Sequence, residues 1–240
     1  MSAGGIAINN LHIGTLGLIL ILAGACLAAD NEASEGNWRE LARQYVVADE
    51  KLFQLEENKL KGIPEQLNLR DKLRAELDQV AQPSIKQLAS LLGSPDSLDR
   101  KTALVAAFVK QITSPDITTT ILNRYNEEND FVIRFYSHQV LKNLSDDQVR
   151  SVQADILRIS RNEKYETHRI TGLPTLLRLE RSVVLPVLVE YFKKGSPGLR
   201  RATYATLRAN HDDYLKEIRS ILKRDGATRV LKFIDELDKL

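Results

Sequence analysis

The chain has 240 residues, with 34 Lys and Arg against 32 Asp and Glu and a formal net charge of +2, long enough to bury a large core as one long domain or two small ones. Apolar residues at 43% and charged residues at 28% are ordinary for a globular protein and exclude wholesale disorder and a collagen-like chain. One cysteine excludes a disulfide framework and a Cys-rich zinc site, four histidines argue against a multi-His metal site, and 36 leucines against 12 glycines and 7 prolines favour helices over a turn-rich all-β fold.

Residues 1–29 carry no Asp, Glu, Lys or Arg. Within them, Leu16 to Ala29 is an apolar run of signal-peptide length, shorter than the ~20 residues of a comfortable membrane span. The first charges after it are Asp30, Glu32 and Glu35, with no nearby Lys or Arg to hold that flank inside. The run therefore predicts export, although the usual positive segment ahead of it is missing. Leu22-Ala23-Gly24-Ala25-Cys26 resembles the lipobox of bacterial lipoproteins, with Ala23 where that family prefers Leu, Val or Ile. The resemblance implies acylation of Cys26. Two alternatives stay open beside it: cleavage at a site such as Ala23-Gly24-Ala25 or Leu27-Ala28-Ala29, and an uncleaved membrane anchor.

Residues 30–82 form the next segment, with 8 basic and 12 acidic residues. Trp38, Leu41, Tyr45, Ala48, Leu52 and Leu55 follow alternating spacings of 3 and 4, the seam of a helix. Gly62-Ile63-Pro64 breaks it, and a second helix is expected to start within Asn68 to Asp71, carry Leu69, Leu73, Leu77 and Val80, and stop at Pro83. The pair reads as a helical hairpin capping the rest of the chain, with dimerisation through the seam as the alternative.

From Pro83 to residue 240 the chain repeats itself. One helix type carries an apolar triplet at i, i+3, i+7: Ile85/Leu88/Leu92, Val149/Val152/Ile156, Leu185/Leu188/Phe192 and Leu215/Ile218/Leu222, with Ser114/Ile117/Ile121 as a degenerate copy. A second type follows each, marked by a column of basic residues at Lys101, Arg134, Arg169, Arg200 and Arg229. Two interlaced series at a common period of about 30–36 residues predict stacked helical hairpins, because one hairpin cannot bury its apolar stripe alone. Ala103, Ala106, Ala202 and Ala205 are expected to permit close helix approach. Ser94-Pro95, Ser114-Pro115 and Ser196-Pro197 read as a capping serine before a proline at the first helical position, and Ser145 with Gln148 as a capping box. Gly172 and Pro174 are expected to bend or split the third second-type helix.

The run Leu199-Arg200-Arg201-Ala202-Thr203-Tyr204-Ala205-Thr206-Leu207, with Pro186 inside Val183 to Leu188, resembles HEAT repeats, particularly the short bacterial type also seen in phycobilisome lyases. The resemblance covers residues 83–240. It implies an all-α fold: an α-solenoid of about five HEAT-like hairpins, preceded by the N-terminal hairpin, whose second helices line a concave, partner-binding face. On that face Arg201, Tyr204 and Arg208 are expected to point outward, with Phe135, His138 and Lys142 two units earlier and Ile170, Leu173 and Leu177 between them, unless those three pack against the bent third unit. The basic column is expected to brace the turns through Asp96, Asp99, Asp130 and Glu163.

No nucleophile elbow, zinc-helix motif, P-loop or dinucleotide fingerprint occurs in the sequence. His138, His168 and His211 are widely spaced and read as surface or capping residues. No catalytic residue, metal or cofactor is assigned. The expected function is an exported, non-catalytic protein-binding scaffold, periplasmic or lipid-anchored at the cell envelope, taking a protein or peptide partner. A lyase-like or glycosylase-like enzyme and a polyanion or nucleic-acid binder using Lys193, Lys194, Arg200, Arg201 and Arg208 are the alternatives; export argues against a genomic target.

Overall fold

The computed structural model describes residues 37–239, apart from 57, 59 and 60. The apolar leader and Cys26 therefore lie outside the described residues. What is described is all-α: thirteen helices and no strand. No helix among the described residues is long and apolar enough to cross a membrane.

Helix α1 spans residues 37–56 and α2 Ile63–Gln79. Helix α2 begins earlier than the Asn68–Asp71 start expected of it. Gly62 takes a left-handed φ of 96°, which turns the chain, and Pro64 then sits in the first turn, where a missing N–H costs nothing. Leu73 and Leu77 are buried, whereas Leu69 is exposed.

Five pairs follow: α3 (Ile85–Leu92) with α4 (Ser97–Val109), α5 (Pro115–Arg124) with α6 (Phe131–Lys142), the split α7 (Asp146–Ser151) and α8 (Gln153–Asn162) with α9 (Glu166–Leu176), α10 (Arg181–Lys194) with α11 (Pro197–Asn210), and α12 (Asp212–Arg224) with α13 (Thr228–Leu237). The first helices of successive pairs pack on one another, α3 on α5, α8 on α10 and α10 on α12. So do the second helices, in the unbroken order α4, α6, α9, α11, α13.

Local chemistry sets most helix starts. Ser114 and Ser196 accept from the N–H groups of Ile117 and Leu199, and Ser145 and Gln148 form a reciprocal capping box. At Ser94-Pro95 the cap moves on: Asp96 caps α4 by accepting from Leu98 N, while Ser94 Oγ accepts from Asp96 N and donates to Asp99. The triplets of the first helices are largely buried, but Ile85, the first residue of α3, is exposed.

Helix α9 is not split. It runs from Glu166 to Leu176 with Pro174 inside it. Pro174 is exposed in the last turn, where water can satisfy the carbonyl its ring leaves unpaired. Ala103 and Ala106 are fully buried, whereas Ala202 is half-buried and Ala205 exposed, so close approach at α11 does not depend on Ala205.

Two clusters make up the core. Trp38, Ala42, Tyr45, Leu73 and Leu77 of the N-terminal hairpin share one with α3 to α6, and the other runs from Leu122 through α13. Helix α1 is not packed as one more first helix. It crosses α4 and reaches α6: Arg39 and Arg43 meet Asp99 at 2.8 and 2.9 Å, Glu50 meets Lys101, and Tyr45 stacks edge-on against Tyr136. The hydroxyl of Tyr136 donates to buried Asp49 at 2.7 Å.

Candidate functional site

The basic column divides by environment. Lys101 Nζ bridges Glu50 Oε1 at 2.5 Å and Asp130 Oδ2 at 2.6 Å. Burial disfavours its charge, but these two carboxylates prevail and hold its pKa above the ordinary lysine value. Arg134 donates to Glu163 Oε2 from Nη2 at 2.8 Å and to the carbonyls of Tyr125 and Glu128. Arg169 binds the backbone carbonyl of Glu163 and lies over the Tyr191 ring; Arg200 donates to the carbonyl of Lys193. Arg229 is exposed. Of the acids expected to brace this column, Asp130 and Glu163 do so, whereas Asp96 caps α4 and Asp99 pairs with α1.

Glu163, the residue after α8, sits at 0% exposure at the centre of a polar cluster that joins α5, α6, α8 and α9. The Tyr125 hydroxyl donates to Glu163 Oε2 and lies 2.6 Å from His138 Nε2. A phenol that donates to the carboxylate must accept from the imidazole, which selects the Nε2–H tautomer of His138. Tyr165 N donates to Glu163 Oε1 at 2.8 Å, and His168 Nδ1 stands 3.4 Å from the same oxygen. Burial alone would push the Glu163 carboxyl up, but His138, His168, Tyr125 and the Tyr165 N–H together hold it far below the usual range. Burial lowers His138, so its neutral form belongs to the fold.

His138 and His168 are therefore buried members of one cluster, not the surface or capping residues their wide spacing suggested. Their meeting at Glu163, with Tyr125 as the fourth member, follows from stacking α6 on α9 and leaves no local motif. Both ring nitrogens of His168 lack a hydrogen-bond partner. Among the described residues no group of three or more His, Cys, Asp or Glu is arranged to hold a metal ion.

The residues expected on the partner-binding face separate in the same way. Lys142, Arg201 and Arg208 are exposed, and Arg208 pairs with Asp212. Phe135 is half-buried against Phe53 of α1, their ring centroids 5.6 Å apart. Two expectations of exposure are corrected. His138 is buried in the cluster just described, and Tyr204 is 8% exposed because its hydroxyl reaches across to Asp238 at 2.5 Å. Leu173 and Leu177 are core residues, and Ile170 packs at the core edge.

A groove of about 820 Å³ opens where the last turns of α1, the start of α6 and the start of α9 meet. Phe53, Phe131 and Tyr165 line it, each half-buried, with successive ring centroids 5.4 and 5.2 Å apart and nearly perpendicular planes. Glu50, Glu56, Asp130 and Lys101 supply its charges. Beneath the rings lies His168, its centroid 4.4 Å from that of Phe131. The sequence offered no signal for this groove, because Phe53 and Phe131 belong to different segments and meet only through the crossing of α1.

Comparison with family models, curated proteins and solved structures finds no match to this chain.

Proposed function

We propose that the protein is an exported, non-catalytic scaffold at the bacterial cell envelope, an α-solenoid of five HEAT-like hairpins that captures a protein or peptide partner on its layer of second helices. The observation that carries the reading is α1 lying across α4 and α6. That layer already accepts a helix of this chain through aromatic contacts and ion pairs, and the same layer continues into α9 and α11, where Thr167, Pro174, Arg201, Ala205 and Arg208 face solvent. The unbroken packing order of the second helices, with α3 on α5, α8 on α10 and α10 on α12 among the first helices, supports the solenoid. The apolar leader with its lipobox-like Cys26 supports the envelope location. Enzymatic use of the Glu163 cluster is disfavoured by its burial: Glu163 and His168 are 0% exposed and His138 4%, so no substrate atom reaches them without opening the fold, and bracing of units two and three is their role.

The test is site-specific photocrosslinking in the native bacterium, with envelope and cytosolic fractions analysed separately. A photoreactive residue replacing Lys142 or Arg201, on second helices, should yield one discrete adduct in the envelope fraction. The same residue replacing Lys86 or Lys216, exposed on first helices, should yield none. Adducts from the first-helix positions alone, or protein confined to the cytosol, would overturn the reading.

A further inference from the structure

The groove between α1 and α9 combines two features that select the same ligand chemistry. Its walls are aromatic, with Phe53, Phe131 and Tyr165 in edge-to-face succession, so ring faces of different orientation border one space. An organic cation placed over such faces is attracted by the ring quadrupole, more strongly as water is displaced. Its lining charge is acidic, with three carboxylates, Glu50, Glu56 and Asp130, against the ammonium of Lys101, while Lys164 Nζ stands over the Tyr165 ring, 5.0 Å from its centroid, and leaves Phe53 and Phe131 as the ring faces without a cation of this chain.

The negative end of the α1 dipole lies at Glu56 and Gln54; of the two positive helix ends at the groove, that of α6 is offset by its cap, Asp130, which accepts from Val132 N and Ile133 N, whereas that of α9 has no side-chain cap, so the preference for a cation rests on the rings and the carboxylates. Lys101 itself gives the precedent, an ammonium held between Glu50 and Asp130 on the floor of the same space. Glu56 is exposed on the rim and makes no hydrogen bond or ion pair among the described residues. The chain's own residues 30–36 are poor occupants, since Asp30, Glu32 and Glu35 repeat the groove's sign.

We infer that this groove is the docking site for an extended, cationic partner segment, seating an arginine or lysine side chain between Phe53, Phe131 and Tyr165 with its charge toward Glu56 and its apolar neighbours along the rings. The inference rests on the scaffold reading, to which it adds the chemistry of the partner and a second contact surface beyond Arg201 and Arg208. A volume of about 820 Å³ admits several side chains of an extended peptide and is large for a single ammonium group. A guanidinium suits it best, because its planar face stacks on a ring while its edge donates to a carboxylate.

The probe is a fluorescein-labelled decapeptide of alternating Arg and Leu, compared with its Glu/Leu counterpart by fluorescence anisotropy on the folded chain. The Arg/Leu peptide should bind and the Glu/Leu peptide should not, and affinity should fall as salt rises from 50 to 500 mM. Glu56→Lys, an exposed change, should weaken binding at least tenfold with an unaltered thermal midpoint. Tyr165→Ala should do the same; should that variant unfold, Glu56→Lys still decides. Lys86→Ala, an exposed change on a first helix away from both surfaces, should leave the affinity unchanged. Equal binding of both peptides, no binding of either, or insensitivity to Glu56→Lys overturns the groove assignment. Envelope adducts from Arg201 in the crosslinking experiment would then show that the scaffold reading stands without it.

Discussion

His138 and Glu163 make the fold sensitive to acid. An unfolded histidine titrates near 6.5, and folded His138 titrates below that because burial strips its imidazolium of water, with His168 and Arg134 adding to the effect against the pull of Glu163. Between those two values the unfolded chain binds a proton that the folded chain does not, so the stability His138 contributes is present above pH 6.5 and is lost as pH falls toward its folded pKa. Glu163 acts in the same direction lower down. Its folded pKa is depressed from 4.5, so its contribution is present above that value and declines below it. The thermal midpoint measured by calorimetry should therefore fall steadily between pH 7.5 and 5, and His138→Gln should flatten that stretch whatever it does to the absolute midpoint. A slope unchanged in the variant would mean that another group titrates. The repeat placed Arg134 in the basic column and offered Glu163 as one of four candidate acids for that column, but the pairing of the two is decided by the packing. The roles of Tyr125 and His168 were not legible in the sequence, because nothing local distinguishes a buried tyrosine or histidine from an exposed one.

Between elements, Gly172 decides how closely α9 approaches α6. A Cβ at that position would stand 2.9 Å from His138 Nδ1 and 3.0 Å from Cε1, against a ring already held by Tyr125. Gly172→Ala must displace that ring or part the two helices, at a cost of about 1–3 kcal/mol. In a His138→Ala background the same change should cost much less, a coupling that a double-mutant cycle in urea would read directly. Additive costs would mean that Gly172 acts through backbone propensity alone. A glycine inside a helical pattern signals a break when the sequence is considered alone; here it signals contact, and α9 continues because Leu173, Thr175 and Leu176 are gripped on either side. Helix starts behaved differently. Ser114, Ser145 and Ser196 were readable as caps because capping uses groups within three residues.

Across the molecule, α6 is where both halves of the core meet. Val132, Ile133, Tyr136 and Val140 belong to the N-terminal cluster and Leu141 to the C-terminal one, while Arg134 and His138 join the buried polar cluster between them. Helix α13 buries only Val230 and Ile234, and among the described residues it packs mainly on α11 and α12. Native-state hydrogen exchange should show the slowest amides in α6 and the fastest helical ones in α13, since opening α6 exposes both clusters whereas α13 can fray alone. Slower exchange in α10 or α11 than in α6 would place the stable centre in the C-terminal cluster instead.

The order and pairing of the helices from Pro83 onward were determined by the sequence itself, because amphipathic period, caps and repeat length are local properties written within 30 to 36 residues. The path of α1 was not among them. Its seam residues Trp38, Tyr45 and Leu52 predict burial but carry no address, and the address comes from Asp99, Lys101 and Tyr136, 47 to 98 residues away in the chain. Only the folded packing joins those charges and rings, and with them it decides which second helices are covered, where the aromatic groove opens, and that Tyr204 and His138 turn inward.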